Sequence, residues 1–195
     1  ASQHKWISYI QEEAQRMKGL VEDMLFLAKH DDARQSAKAQ VCNLSDLVTG
    51  CVLRFESVAF ESGVELDSEI QPRLSIHGDL DCLERLVMIL LDNAVKYAGE
   101  AGRVRLELQR RQERAVLTVT NTGQPIPPEH LDHLFQRFYR ADGSRSRKEG
   151  GYGLGLAIAH TIVQFYRGQI EVKSDAQNGT CFTVTLPRVW QQEEK

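Results

Sequence analysis

The chain has 195 residues, which at about 150 residues per domain is roughly 1.3 domain lengths: one good-sized domain with an appendage. Lys and Arg total 24 against 27 Asp and Glu, a formal net charge of −3, which argues against a nucleic-acid binder working through bulk positive charge. A 42% hydrophobic content suffices for a core and, with 26% charged residues, excludes disorder over most of the chain. The longest apolar run, Leu86 to Leu91, is far too short to span a bilayer, and the start does not read as a signal peptide. Any membrane segment is therefore expected outside these residues. Cys42, Cys51, Cys82 and Cys181 include no CxxC pair, which favours reduced thiols in a cytosolic setting over a disulfide framework or a zinc site.

Residues 5–30 read as one long helix. Ile10, Ala14, Met17, Val21, Met24 and Ala28 form an a/d stripe of the coiled-coil kind, widened by Leu20, Leu25 and Leu27. A single helix cannot bury such a stripe alone, so the arm is expected to pair with another copy; packing on its own domain is the plainer alternative. The polar stretch Asp31 to Gln40 reads as a linker. Asn43 can cap a second helix whose apolar face runs from Leu44 to Val58, and Gly63 can stop it. Val64 to Ile70 alternates as a strand, and Leu74 with Ile76 marks another. Asp79 can cap a third helix ending near Tyr97. Val104–Leu108 and Leu117–Val119 alternate as a hairpin through Arg110 to Arg114. Pro128 suits the first turn of a short helix reaching about Arg140. After a loop over 141–151, a helix is expected over Leu154–Tyr166 with Gly168 as its cap. A last hairpin turns at Asn178-Gly179. Adjacent strand hairpins mixed with helices predict an α+β fold, a two-layer sandwich with helices on one face of a mixed, largely antiparallel sheet.

Four segments carry chemistry. Glycines at 150, 151, 153 and 155, at a loop-to-helix junction, let backbone N–H groups approach a phosphate. Leu156 stands where a dinucleotide fingerprint needs Gly, and no Gly-Lys-Ser/Thr occurs, so two other phosphate motifs are excluded. Asn93, Lys96 and Tyr97 share one helix face and offer an amide oxygen, a cation and a ring. Asn121, straight after a strand and before Gly123, Pro125 and Ile126, can meet an adenine edge. Phe135 and Phe138 can anchor a loop, and Arg140 can reach an anionic phosphate. Each segment alone is also compatible with an ordinary turn, helix end or glycine-rich surface loop.

In this order the segments resemble the ATP-binding catalytic domain of bacterial two-component sensor histidine kinases. Leu-Leu-Asp-Asn93-Ala-Val-Lys96-Tyr97 is similar to the family's N box and Asn121-Thr-Gly123-Gln-Pro-Ile-Pro to its G1 box. Leu-Phe135-Gln-Arg-Phe138-Tyr-Arg140 is similar to the F box, and Gly151-Tyr-Gly153-Leu-Gly155-Leu to the G2 box. Asn178-Gly-Thr180-Cys-Phe182-Thr-Val-Thr-Leu-Pro187 resembles the family's last hairpin, and residues 5–30 the second helix of the dimerisation and phosphoacceptor hairpin.

The resemblance implies a partial hairpin helix over 1–32, a linker over 33–42 and a catalytic domain over 43–190. It implies that Asn93 ligates Mg²⁺ on ATP, that Lys96 and Arg140 steady phosphate charge, and that Tyr97 stacks near the base. Asn121 would meet the adenine amino group, beside Gly123, Ile126, Phe135 and Thr180. Gly151, Tyr152, Gly153, Leu154, Gly155 and Leu156 would wrap the phosphates beneath a lid over about 141–151. The implied reaction passes the γ-phosphate to a histidine and then to an aspartate of a response-regulator receiver domain, with no nucleic-acid partner. The full-length protein would be a homodimer through the hairpin and anchored in the bacterial membrane.

The sequence departs from the family at Asn121, where Asp is usual, at Ile89, where a polar Asn often stands, and at Pro125, in place of a glycine. None of the histidines at 4, 30, 77, 130, 133 and 160 precedes Glu or Asp and then Leu-Arg-x-Pro, so autophosphorylation of this chain alone is not expected. The alternative is a nucleotide-binding but catalytically degenerate regulatory domain of the same superfamily. An ATPase or serine kinase of that superfamily fits less well, because the helical arm matches a hairpin.

Overall fold

The structure, a computed structural model, describes residues 2–31, 40–141 and 152–187. The order is α1 (Ser2–Asp31), β1 (Gln40–Asn43), α2 (Leu44–Glu61), β2 (Glu65–Ile70), β3 (Ser75–Gly78), α3 (Leu80–Tyr97), β4 (Arg103–Arg111), β5 (Arg114–Asn121), α4 (Pro128–Leu131), α5 (Gly155–Phe165), β6 (Gln169–Asp175) and β7 (Gly179–Pro187).

The main sheet has five strands in the order β2-β4-β5-β7-β6. Only β2 and β4 run parallel; the other neighbours are antiparallel. The expected two-layer α+β sandwich is the observed fold. Alternation along the strands sorts the faces. Val104, Leu106 and Leu108 of β4, Leu117 and Val119 of β5, and Phe182, Val184 and Leu186 of β7 point inward and are buried. They meet Val48, Phe55, Leu83, Leu86, Leu90, Ile158 and Ile162 from α2, α3 and α5 in one core. The open face is polar. There Arg103 pairs with Glu65, and Arg105 with Asp67, Glu69 and Glu107. These exposed pairs add little stability, but they put charge along the β2 edge and discourage pairing with another sheet.

The caps fall where the sequence places them. Asn43 accepts from the N–H groups of Ser45 and Asp46, and Asp79 from those of Asp81 and Cys82, each cap contributing about 1 kcal/mol. A second tie fixes the start of α3: the Asp79 N–H donates to the buried-side hydroxyl of Tyr166 at 2.9 Å. Burial pushes the Tyr166 phenol up to about 12 and the neighbouring Cys82 thiol up to about 11.

Four expectations change. The stretch read as a linker, 33–42, ends in strand β1, which pairs antiparallel with β3 and buries Cys42 opposite Ile76; residues 32–39 lie outside the described residues. The helix expected from Pro128 to about Arg140 is only the four residues of α4, followed by tight turns in which His133 and Gln136 donate to the carbonyls three residues back. Side-chain anchors further on, described below, override helical propensity there. At the end of α5 it is Arg167, at φ 52°, that takes the left-handed position, while the Gly168 N–H closes the turn on the Val163 carbonyl. The last hairpin has a three-residue loop, since Asp175 pairs with Gly179; the Asp175 carboxylate accepts from the N–H groups of Gln177 and Asn178.

Helix α1 has two differently placed apolar sides. Leu27 is buried and Leu20 and Phe26 pack against the core, while Asp23 pairs with Arg85 of α3, whose guanidinium also lies 4.4 Å from the Phe26 ring centre. The predicted stripe is otherwise open: Ile10, Met17, Val21 and Met24 are all at least half exposed. No described helix is long and apolar enough to cross a membrane.

Candidate functional site

The site forms where four elements end: the last turn of α3, the end of β5, the start of α5 and the start of β7. Apolar positions Leu86, Leu90, Leu91 and Ala94 are buried on one side of α3 and so fix its rotation. That rotation leaves Asn93 and Lys96 half-buried and Tyr97 exposed at the end of the helix. The Lys96 ammonium lies 5.3 Å from the Tyr97 ring centre, within cation–π range. Burial pushes the Asp92 carboxyl up and the nearby Lys96 charge pulls it back.

Asn121, the last residue of β5, is 3% exposed. Its Nδ2 donates to the carbonyls of Thr122 at 2.5 Å and Tyr97 at 3.3 Å. Two carbonyl oxygens around one side-chain atom can only be met by the amide nitrogen, so the orientation is set. Oδ1 is then turned the other way, buried, and is the one buried side-chain N or O among the described residues without a hydrogen-bond partner. A buried acceptor left unmet costs about 1–3 kcal/mol. It is the natural place for an N–H donor from a ligand.

The loop after Asn121 is fixed at both ends. Thr122 donates its hydroxyl to the Ala98 carbonyl at 2.8 Å and accepts from the Arg103 N–H at 2.8 Å. Gly123 sits at φ 118°, and a Cβ there would fall 2.1 Å from the Tyr97 carbonyl oxygen, so only glycine lets the loop lie against the end of α3. Further on, the Ile126 N–H donates to Ser174 Oγ at 2.9 Å, and Ser174 Oγ is 2.8 Å from Thr180 Oγ1. Thr180 is buried and directly opposite Asn121 in the β5–β7 register.

Phe135 stacks on His160 of α5 with ring centres 5.5 Å apart and meets the edge of Phe182 at 6.5 Å. It thereby anchors the segment before the loop into the core. Three residues later Phe138 is at φ 64° and its N–H donates to the Gly153 carbonyl at 2.9 Å. The Tyr139 hydroxyl is 2.5 Å from His130 Nδ1. Gly153 answers this contact: at φ 72°, a Cβ would come within 2.7 Å of the Tyr139 carbonyl oxygen. Arg140 is half-buried next to this latch.

Helix α5 then starts at Gly155. Leu154, its buried N-cap residue, offers no side-chain hydrogen bond, and the first turn contains no acidic residue. The N–H groups of this eleven-residue helix's first turn therefore have no capping side chain, and the helix dipole favours an anion there. Tyr152 and Leu156 pack half-buried against the core. Ile89, in place of the polar residue usual there, has Cγ2 3.5 Å from where a Gly155 Cβ would be, so it supports the start of α5 by apolar contact.

Asn93, Lys96, Tyr97, Asn121, Gly123, Tyr152, Gly153, Leu154, Gly155, Leu156 and Thr180 lie at or next to these ends, and Ile126, Phe135 and Arg140 lie on the segment that leads from β5 toward α5. Gly151 and the lid expected over 141–151 lie, past Ala141, outside the described residues. Ser174 was not picked out from the sequence. Its signal was its register: it stands opposite Thr180 in the last hairpin.

Residues 78–189 match the model of the family described as histidine kinase-, DNA gyrase B-, and HSP90-like ATPase. The chain belongs to that family. Within it, the chain carries a catalytic domain of the sensor histidine kinase kind. It is 41% identical over 176 residues to the sensor histidine kinase CusS of Escherichia coli K12, covering 90% of this chain and 36% of the relative. It is 35% identical over 179 residues to the sensor histidine kinase RppB of Synechocystis sp., covering 91% and 39%. The chain thus spans under two-fifths of the length of these relatives. Among solved structures, full-length ShkA in complex with AMPPNP shares the fold, with a TM-score of 0.85 at 24% identity, covering 98% of this chain and 40% of that one.

Proposed function

We propose that this domain binds Mg-ATP and serves as the kinase engine of a two-component sensor. The observation that carries the reading is the buried, unmet Oδ1 of Asn121, set at the end of a strand opposite Thr180 and before Gly123, which holds the next loop against the end of α3. Adenine presents an exocyclic N–H₂ donor that satisfies it. Across the site, the uncapped start of α5 with Gly153 and Gly155, together with Lys96 and Arg140, suits the triphosphate. Tyr97, Ile126, Phe135, Tyr152, Leu154 and Leu156 give the walls.

Mg²⁺ on a nucleotide keeps several waters and takes one or two protein oxygens plus phosphate oxygens. Asn93 supplies such a hard amide oxygen. When bound, Mg²⁺ neutralises developing charge on the phosphates. The chain's own residues position the nucleotide: Asn121 and Thr180 orient the base, Lys96 and Arg140 hold phosphate charge, and the Phe138–Gly153 hydrogen bond ties the segment after Phe135 to the approach to α5.

By resemblance to its sensor-kinase relatives, the whole protein passes the γ-phosphate to a hairpin histidine and then to a receiver-domain aspartate of a response regulator. Residues 1–32 are its hairpin helix and 43–190 its catalytic domain, to which the end of the 33–42 stretch belongs through β1. The open stripe of α1 supports dimerisation through the hairpin, with a membrane anchor elsewhere in the protein and this domain on the cytoplasmic side. The test is calorimetric titration of ATP, with and without Mg²⁺, into the chain and its Asn93→Ala variant. Binding that needs Mg²⁺ and weakens at least about tenfold in the variant is expected, in line with loss of a metal ligand. No binding up to millimolar ATP would overturn the Mg-ATP reading.

A further inference from the structure

Three polar side chains stand in line across three neighbouring strands. Asn121 of β5 is paired with Thr180 of β7, and Thr180 with Ser174 of β6. All three replace apolar residues at inward positions of their strands, in step with Val119, Phe182 and Val172. The row ends beneath the loop from Gly123 to Pro127, because Ser174 Oγ accepts the Ile126 N–H.

The protons in the row can be counted. Ser174 and Thr180 carry two hydroxyl protons between them, and one fills the 2.8 Å gap between their oxygens. The bond can run either way; Ser174 is taken here as its donor, the arrangement in which Ser174 Oγ accepts the Ile126 N–H and gives its one proton to Thr180 Oγ1. The Thr180 proton is then left to point into the site. Next to it, Asn121 Oδ1 is a bare acceptor. The row thus ends in an acceptor and a donor side by side. Adenine shows the complementary pair on its Watson–Crick edge, an amino donor beside a ring-nitrogen acceptor, whereas guanine shows the reverse.

We infer that Ser174 is a positioning residue for nucleobase selection: its hydroxyl orients Thr180 as a donor and pins the Gly123–Pro127 loop over Asn121. This rests on the Mg-ATP reading above. Ser174 itself touches no base; it acts through Thr180 and the Ile126 backbone.

The test measures ATP and GTP affinities of the full chain with Mg²⁺, by calorimetry for ATP and by displacement of ATP for GTP. Ser174→Ala is expected to weaken ATP about tenfold, the equivalent of one to two lost hydrogen bonds. GTP affinity stays as it was, so the ATP-to-GTP ratio narrows by the same factor. Ser174→Thr, which keeps the hydroxyl, restores the ratio, and Ser174→Val, its isostere without one, does not. The Thr and Val pair decides the matter should the alanine variant not fold. Equal weakening of both nucleotides, with the ratio unchanged, would mean Ser174 is merely structural and would overturn the inference. So would ATP affinity unchanged in Ser174→Ala. If the unaltered chain binds no ATP, the Mg-ATP reading fails and takes this inference with it; if it binds ATP and the variants change nothing, only the role of Ser174 fails.

Discussion

Replacing Asn121 by the aspartate usual in the family is expected to destabilise the nucleotide-free domain. The amide nitrogen donates to the carbonyl oxygens of Thr122 at 2.5 Å and Tyr97 at 3.3 Å. A carboxylate puts a proton-free oxygen opposite both. Two neutral hydrogen bonds, at about 0.5–1.5 kcal/mol each, are lost, and a charge is desolvated at a position 3% exposed. Together these give about 2–4 kcal/mol near pH 8, or roughly 5–15 °C in melting temperature for a chain of this size. Burial with no donor raises the folded-state pKa of the new carboxyl above its unfolded value of about 3.9. Between those two values the folded state holds the extra proton, so stability falls as pH rises through the window. The gap between Asn121→Asp and the unaltered chain therefore widens from about pH 4 to about pH 8. Near pH 4 the neutral acid can still donate one O–H to a carbonyl and recovers part of the loss. Mg-ATP shifts the comparison the other way. A carboxylate accepts the adenine amino proton more strongly than an amide does, so ATP affinity rises and the ligand-induced rise in melting temperature is larger in the variant. Melts followed by circular dichroism across this pH range, with and without Mg-ATP, test each part. A variant melting within about 1 °C of the unaltered chain at pH 8, or a gap that does not vary with pH, would refute the reading of Asn121 as an oriented, buried amide.

Gly123→Ala should cost more than the 1–3 kcal/mol usual for a non-glycine residue in a forbidden backbone region, because the new Cβ overlaps the Tyr97 carbonyl oxygen at 2.1 Å; urea unfolding measures it, and a loss under about 1 kcal/mol would show that the loop can move aside at little cost. The buried thiols of Cys42, Cys51 and Cys82 are all pushed up by desolvation, Cys82 to about 11. At neutral pH, mass spectrometry after brief alkylation should therefore find the half-buried Cys181 labelled first and the other three only after denaturant is added.

Most of the fold is legible in the sequence because its signals are local. The Asn43 and Asp79 caps, the 3–4 spacing of apolar residues in α3 and the alternation in β4, β5 and β7 each need only a few residues to be read. The candidate residues stand out for the same local reason: Asn93 is in the last turn of α3, Asn121 ends β5, and Gly153 and Gly155 lie at the start of α5. What escaped depends on residues distant in the chain. Strand β1 is four residues of mixed polarity that become a strand only by pairing with β3, some 35 positions on. The segment from Pro128 to Arg140 has helical composition, yet Phe135 is held by His160 and Phe138 by Gly153. Ser174 looks like an ordinary strand residue until the hairpin register sets it opposite Thr180 and the loop brings it the Ile126 N–H.

Helix α1 shows where a periodic pattern has two solutions. Its apolar residues outnumber what one partner can cover. Leu20, Phe26 and Leu27 are drawn to the domain, where the Asp23–Arg85 pair and the Arg85–Phe26 contact hold them. The pair is only about two-thirds buried on either side, at 30% and 31% exposure, and desolvation raises the Asp23 carboxyl while Arg85 pulls it down. Such a pair steers the register of packing more than it stabilises it. Arg85 is eight residues before Asn93 on the same helix, about 12 Å along it at 1.5 Å per residue. The clasp therefore ties the arm to the helix that ends in the nucleotide site. Ile10, Met17, Val21 and Met24 remain outside that clasp on the heptad seam, and at about 25 cal/mol per Å² their burial would strongly favour helical partners. The arm reads as a coiled-coil element in sequence because most of its stripe keeps heptad spacing and stays exposed. Its last turns read the same way but answer to the catalytic domain instead, and only the position of Arg85 on α3 tells the two apart.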